Sequence, residues 1–135
     1  MTMTMTETKN RNKLHREFFA IRPQADSTQW VPVAAAAGRI EELVLADNFD
    51  PASRTGSRTR LARWQPGALI AQPVIHDFHE EVFIVEGEFV VGCDGAGQGG
   101  KAFGPYTFAC RPPRVWHGPF ASPAGCVLLE FHYYD

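Results

Sequence analysis

From about Leu14 onward, the chain is a succession of short apolar segments rich in Val, Ile, Leu, Phe and Trp. Gly, Pro, Asp and Asn separate these segments at intervals of about ten residues, which is the spacing typical of an all-β protein. Only two short stretches, 12–19 and 34–43, allow a turn of helix. The pattern therefore predicts about eight to ten short strands arranged as a barrel or jelly roll.

The segments predicted to be strands are 40–46, 58–65, 68–76, 80–92, 104–111, 114–120 and 126–134. Side chains alternate between the two faces of a strand, so Gln72 shares a face with His76. In the last segment, the apolar residues at 127, 129 and 131 are predicted to face the core. Glu130 and His132, which alternate with them, are then either exterior residues or pocket groups, and the exterior is favoured.

Residues 1–13 are polar and low in complexity, and such a segment cannot offset the entropy of ordering by burying an apolar face. We expect a disordered tail there, followed by a single domain over residues 14–135. Hydrophobic residues make up 44% of the sequence and charged residues 21%, as in ordinary globular proteins. A chain of this size buries enough surface for one core.

Composition excludes several classes of function. The net charge of -2 gives no basic field for a phosphate backbone, so nucleic acid is not expected as a partner. No stretch approaches the roughly 20 apolar residues that span a bilayer, and the start of the chain has no signal-peptide core. We therefore expect a cytoplasmic protein without a membrane partner. Cys93, Cys110 and Cys126 are widely separated and expected to be reduced.

Chemically active side chains concentrate in the run His76-Asp77-Phe78-His79-Glu80-Glu81, and His117 follows further along the chain. Imidazoles and carboxylates are ligands for Zn, Fe, Mn, Ni and Cu. One short segment presents several of them to an ion only if the backbone turns between the contributors. A strand that ends at His76 and another that starts near Glu80 provide that turn.

Two motifs at these positions resemble those of the cupin superfamily. The first is carried by Pro66-Gly67, His76, Glu80-Glu81 and Gly87, and the second by Gly104-Pro105 and His117. The sequence around both motifs is most similar to sequences of the subgroup that includes acetylacetone dioxygenase-like and anti-sigma-factor cupins. The resemblance implies an RmlC-like barrel, a double-stranded β-helix, with one divalent metal ion and a small-molecule ligand.

The metal ligands implied by the resemblance are His76, His117 and a glutamate. Glu81 is favoured over Glu80 because four intervening residues match a permitted spacing and because its face carries Phe83 and Val85 toward the barrel. Glu80, at a spacing of three, stays an alternative.

Val74 stands where the cupin motif has its first histidine. Either His79 or Gln72 then completes the metal shell, or the ion keeps two histidines and one carboxylate, as in non-haem iron oxygenases. Gln72 and His79 are also the candidates to orient or deprotonate a substrate.

The function implied by the resemblance is that of a metal-dependent enzyme acting on a diketone- or enol-like molecule. A non-haem iron dioxygenase with Fe(II) is favoured, and Zn, Mn, Ni or Cu are alternatives. A redox-neutral cyclase, isomerase or lyase is the second hypothesis, and a non-catalytic ligand-binding or sensor protein is the third. The resemblance also implies a homodimer that pairs through the N-terminal edge, from residues 14–21 and 29–33.

Overall fold

The structure, a computed structural model, describes residues 13–21 and 29–135. Most of the predicted tail at 1–13 therefore lies outside the described residues. The strands in chain order are β1 (Val31–Pro32), β2 (Ile40–Asp47), β3 (Ser57–Trp64), β4 (Ala68–Ile70), β5 (His79–Gly87), β6 (Phe89–Val91), β7 (Lys101–Phe103), β8 (Phe108–Arg111), β9 (Phe120–Ser122) and β10 (Cys126–Tyr133). Ala34–Ala36 form a short 3-10 turn, and the described part contains no helix that could cross a membrane.

The strands form two antiparallel sheets. Six strands pair in the order β1-β2-β3-β10-β5-β8, and four pair in the order β4-β9-β6-β7. The main core lies between the sheets, where Trp64 of the larger sheet meets Phe89 of the smaller one with ring centroids 5.1 Å apart. This arrangement confirms the all-β barrel or jelly roll predicted from the strand spacing.

The outer face of the larger sheet carries a second apolar cluster. Trp30 packs there against Leu43, Leu61 and Val127, and Ile21 lies beside them. Both faces of β10 are therefore apolar over part of their length, which leaves its orientation ambiguous in the sequence. β1 is at the edge of this sheet, and the predicted dimer pairing through that edge stays a prediction.

Four predicted strands differ from the observed ones, and one of them is the segment 104–111, where only Phe108–Arg111 is a strand. The segment 68–76 is a strand only as far as Ile70, because Pro73 cannot donate to a ladder, and Val74 forms a single bridge with His117. The segment 80–92 is divided into β5 and β6 after Gly87. The segment 114–120 is irregular until β9 begins at Phe120.

Candidate metal centre

One row of directly opposed residues crosses the larger sheet and organises the site. Glu80 of β5 lies opposite Arg111 of β8 on one side and opposite His132 of β10 on the other. His132 in turn lies opposite Arg58 of β3. Because opposed residues in antiparallel strands point to the same face, all four side chains project into the barrel.

Hydrogen bonds run along this row from one end to the other. Arg111 Nη1 donates to Glu80 Oε1 at 2.9 Å, and His132 Nε2 lies 2.7 Å from Glu80 Oε2. Arg58 donates to His132 Nδ1 through Nε at 3.2 Å and through Nη2 at 2.8 Å. A guanidinium only donates, so His132 Nδ1 carries no proton and Nε2–H is the donor to Glu80.

His76 and His117 are oriented by main-chain oxygens on either side of the same carboxylate. His76 Nδ1 donates to the carbonyl of Phe78, and His117 Nδ1 donates to the carbonyl of Val115, both at 3.1 Å. The Phe78 ring also stacks on His76 with centroids 4.0 Å apart. In the neutral rings, both Nε2 atoms therefore carry the lone pair.

The two Nε2 atoms point toward one oxygen of Glu80. Glu80 Oε1 lies 3.6 Å from His117 Nε2 and 3.9 Å from His76 Nε2. Among the described residues, His76 Nε2 is the one buried side-chain nitrogen or oxygen without a hydrogen-bond partner. A buried polar atom without a partner is costly, and a bound cation would satisfy it.

The electrostatics of the site keep the carboxylate charged and the imidazole neutral. Burial alone raises the pKa of Glu80, but the hydrogen bond from His132 and the charge of Arg111 lower it well below its usual range. Burial and the charge of Arg111 lower the pKa of His117. A charged carboxylate and neutral imidazoles are the forms that bind a metal ion.

These side chains line a cavity of about 340 Å³ inside the barrel. Its inner walls are largely apolar and come from both sheets, including Ile40, Trp64, Val82, Phe89, Phe120 and Leu128. Cavities of roughly this volume hold one small molecule. The residues fit a divalent ion: three ligand atoms, from His76, Glu80 and His117, lie within 4.8 Å of one another, and main-chain carbonyls fix both imidazoles.

Comparison with known families matches this chain to the family described as the ChrR cupin-like domain, over residues 20–134. The chain belongs to that family. A comparison with curated proteins gives no significant match.

Several solved cupin structures have the same fold as this chain. An RmlC-like cupin from Shewanella frigidimarina is 21% identical with a TM-score of 0.61, over 89% of this chain and 93% of the other. An acetylacetone dioxygenase from Acinetobacter johnsonii is 21% identical with a TM-score of 0.60, over 89% and 78% of the two chains. The polyketide cyclase RemF from Streptomyces resistomycificus is 15% identical with a TM-score of 0.63, over 89% and 81%.

The structure corrects the expectation about which glutamate faces the histidines. Glu80 is 8% exposed and points into the cupin barrel, whereas Glu81 points to the opposite face and accepts a hydrogen bond from Tyr133 Oη at 2.6 Å. The sequence argument took Phe83 and Val85 as the inward residues of β5. Val82 and Ile84, which are both 4% exposed, occupy the core instead.

The two residues proposed to complete the shell lie elsewhere. His79 shares the outer face with Glu81, stacks on Tyr133 with centroids 4.8 Å apart, and lies 2.7 Å from Asp135. Gln72 is exposed and does not line the cavity. Of the alternatives open in the sequence, the structure brings together only two histidines and one glutamate.

Sequence reasoning placed His132 and Glu130 on the exterior, and the structure corrects this too. His132 is 1% exposed, and Glu130 faces the cavity, where it accepts a hydrogen bond from Arg60 Nε at 2.8 Å. The signal that could have found them is charge at alternate positions in paired strands. Arg58 and Arg60 in β3 match His132 and Glu130 in β10, residue for residue.

Proposed function

We propose that this cupin binds one divalent metal ion on His76, Glu80 and His117 and acts enzymatically on a small molecule held in the cavity above it. The observation that carries the proposal is the convergence of the two imidazole Nε2 atoms on Glu80 Oε1. Two histidines and one carboxylate are the ligands typical of non-haem Fe(II) oxygenases. Fe(II) is therefore the favoured ion, and the favoured activity is a dioxygenase acting on a diketone- or enol-like substrate.

The bound ion would supply Lewis acidity and, as Fe(II), the capacity to react with oxygen. The protein's own residues prepare the site for it. His132 holds Glu80 Oε2 at 2.7 Å, so that Oε1 is the oxygen presented to the histidines. Arg58 fixes His132 in the tautomer that donates, since both of its contacts end on Nδ1.

The walls of the cavity determine what reaches the ion. Val82, Phe89, Phe120 and Leu128 are each less than a tenth exposed and line the cavity together. Apolar walls exclude bulk water, which strengthens the electrostatic interactions of a bound substrate and protects reactive species. The apolar walls favour a substrate with an apolar carbon skeleton whose polar groups lie near the ion.

A redox-neutral cyclase, isomerase or lyase is the second candidate, and one observation favours it. Glu42 lines the same cavity, and burial raises its pKa. A buried carboxyl group with a raised pKa is suited to general acid and base catalysis. A shift of Glu42 between its two protonation states would serve proton transfer in a reaction that needs no oxygen.

Metal analysis of paired variants tests the site. We expect the purified wild type to carry stoichiometric metal, and Glu80→Gln to lose it because the amide is a weak ligand. Glu81→Gln is the matched control and should keep the metal, since its side chain lies on the other face. Inductively coupled plasma mass spectrometry gives the stoichiometry. Full occupancy in the double variant His76→Ala, Glu80→Gln would contradict the assignment.

Oxygen dependence separates the two candidate activities. Turnover of small diketones that stops under anaerobic conditions supports the dioxygenase. Equal turnover with and without oxygen, retained when Zn²⁺ replaces Fe²⁺, supports the redox-neutral enzyme. Tight ligand binding without any turnover would contradict both and favour a binding protein.

A further inference from the structure

Three carboxylates and three guanidiniums line the cavity, and their formal charges cancel. They are Glu42, Glu80, Glu130, Arg58, Arg60 and Arg111. The histidines add no charge in the metal-bound site, because an imidazole binds an ion only in its neutral form and His132 Nδ1 accepts from Arg58. A divalent ion on His76, Glu80 and His117 therefore leaves the cavity with an excess of positive charge.

Two of the three arginines are held by partners that the ion would not engage. Arg60 lies 2.7 Å from Glu42 and 2.8 Å from Glu130, so two carboxylates compensate its charge. Arg58 holds His132 and packs over the ring of Phe49 at 4.8 Å. Both side chains therefore bind other residues of the cavity wall.

Arg111 differs because its carboxylate partner is the proposed metal ligand itself. Its Nη1 lies 2.9 Å from Glu80 Oε1, the same oxygen that faces His76 and His117. Within the described part of the chain, Glu80 is its one carboxylate partner, and the guanidinium is 5.0 Å from the ring of Phe120. An ion held on Oε1 would weaken the compensation of Arg111 and leave its guanidinium donors available to an anionic group bound near the ion.

We propose that the ligand of this cavity is a small organic acid whose carboxylate binds Arg111 beside the metal ion. The inference rests on the metal site proposed under Proposed function, and it narrows the diketone- or enol-like substrate class to keto acids. A carboxylate placed there offsets the excess positive charge and accepts hydrogen bonds from the guanidinium. The neighbouring carbonyl or enol oxygen is then directed toward the ion.

Calorimetric titration of the Zn²⁺-loaded protein with acetoacetate and with its neutral isostere acetoacetamide tests the inference. Loss of a hydrogen bond to a charged group reduces affinity roughly 10- to 100-fold, so we expect acetoacetate to bind tighter by that factor. In Arg111→Gln the preference should vanish. Arg54→Gln, which removes an exposed arginine paired with Asp77, is the matched control and should keep it.

Metal affinity distinguishes recognition from a structural role of Arg111. Arg111→Gln removes a cation that competes for Glu80 Oε1, so it should bind Zn²⁺ as tightly as the wild type or more tightly while it loses the acid. Loss of both metal and acid would overturn the inference. If Arg111→Gln does not fold in a thermal scan, Arg111→Lys replaces it, and it should bind acetoacetate more weakly than the wild type with metal retained.

The remaining outcomes separate the inference from the proposed function. Stoichiometric Zn²⁺ with equal affinity for acetoacetate and acetoacetamide overturns the inference alone. A wild type that binds no metal overturns the proposed function, and the inference with it. Acetoacetate bound equally well by metal-free and Zn²⁺-loaded protein also overturns the inference, because the excess charge then plays no part.

Discussion

His132 is the residue on which the orientation of Glu80 depends. Its Nε2–H is donated to Glu80 Oε2, while Arg58 occupies Nδ1, so neither nitrogen is free to turn toward another partner. At 1% exposure the ring is also fixed by packing. Groups that hydrogen-bond to a metal ligand in this way set which oxygen of the carboxylate the metal meets.

Replacing His132 should therefore weaken metal binding without touching a ligand. We expect His132→Phe, which keeps a ring in place, to lower the affinity for Zn²⁺ roughly 10- to 100-fold, as is typical when a ligand loses its supporting hydrogen bond. Competition with a chromophoric chelator measures the affinity. His79→Gln is the matched control, because His79 precedes Glu80 but lies on the outer face; an equal loss in both variants would contradict the role of His132.

Sequence motifs were enough to find His76 and His117 but not the side chains around them. The histidines are fixed by motif spacing, whereas the choice between Glu80 and Glu81 depends on which face of β5 is inward. Both faces carry large apolar residues, Phe83 and Val85 on one and Val82 and Ile84 on the other. Burial, which decides the choice, is a property of the packed sheets.

At the scale of elements, the register of β10 between β3 and β5 assembles the site. Arg58, His132 and Glu80 come from three strands that are distant in sequence, and only their pairing makes them neighbours. An error about the face of one strand therefore carries over to its partners. His132 was predicted on the exterior and Glu81 in the interior. Both predictions assigned the wrong face of a strand to the core, and the two strands concerned, β10 and β5, are paired.

The end of β5 is fixed by the close approach of its last residue to the turn before β10. Gly87 has φ of 85°, and a Cβ there would lie 2.2 Å from the carbonyl oxygen of Gly125. Gly92 has φ of 79°, but a Cβ there would have nothing within 4 Å. The two positions share a left-handed backbone and differ in the space around it.

Alanine at these two glycines should separate backbone conformation from steric contact. Gly92→Ala should cost about 1–2 kcal/mol of unfolding free energy, the penalty for a left-handed alanine. Gly87→Ala should cost clearly more, because the main chain at Gly125 must also move. Urea denaturation followed by circular dichroism measures both. Equal losses in the two variants would show that the contact with Gly125 is unimportant.

For the whole molecule, the spacing of the strands in the sequence predicts the barrel, but it does not predict the charged side chains inside it. Strand spacing and turn residues predicted a barrel or jelly roll of eight to ten strands, and the packed core around Trp64, Phe89 and Leu128 agrees with that. Six charged side chains at one end of the barrel break the apolar pattern. They are tolerated because cross-strand partners satisfy them, and such partners are visible only once the register is known.

This buried charge should make the stability of the metal-free protein depend on pH. The pKa of His117 is lowered from 6.5 by burial, so the unfolded chain binds more protons and stability falls as the pH drops below about 6.5. The pKa of Glu80 is lowered from 4.5, because its hydrogen bond and neighbouring charge outweigh burial, so a further loss begins below about 4.5. Both contributions are fully present only above these values.

Urea unfolding between pH 8 and pH 2.5 after chelation would measure this dependence. We expect the unfolding free energy to decrease in two stages as the pH falls. Glu80→Gln cannot titrate at this position and should lose the steeper decline at the acid end while it keeps the earlier one. An unfolding free energy that stays constant or rises as the pH falls would contradict this. It would mean that the hydrogen-bonded row from Arg111 through Glu80 and His132 to Arg58 does not compensate the charges in the cavity.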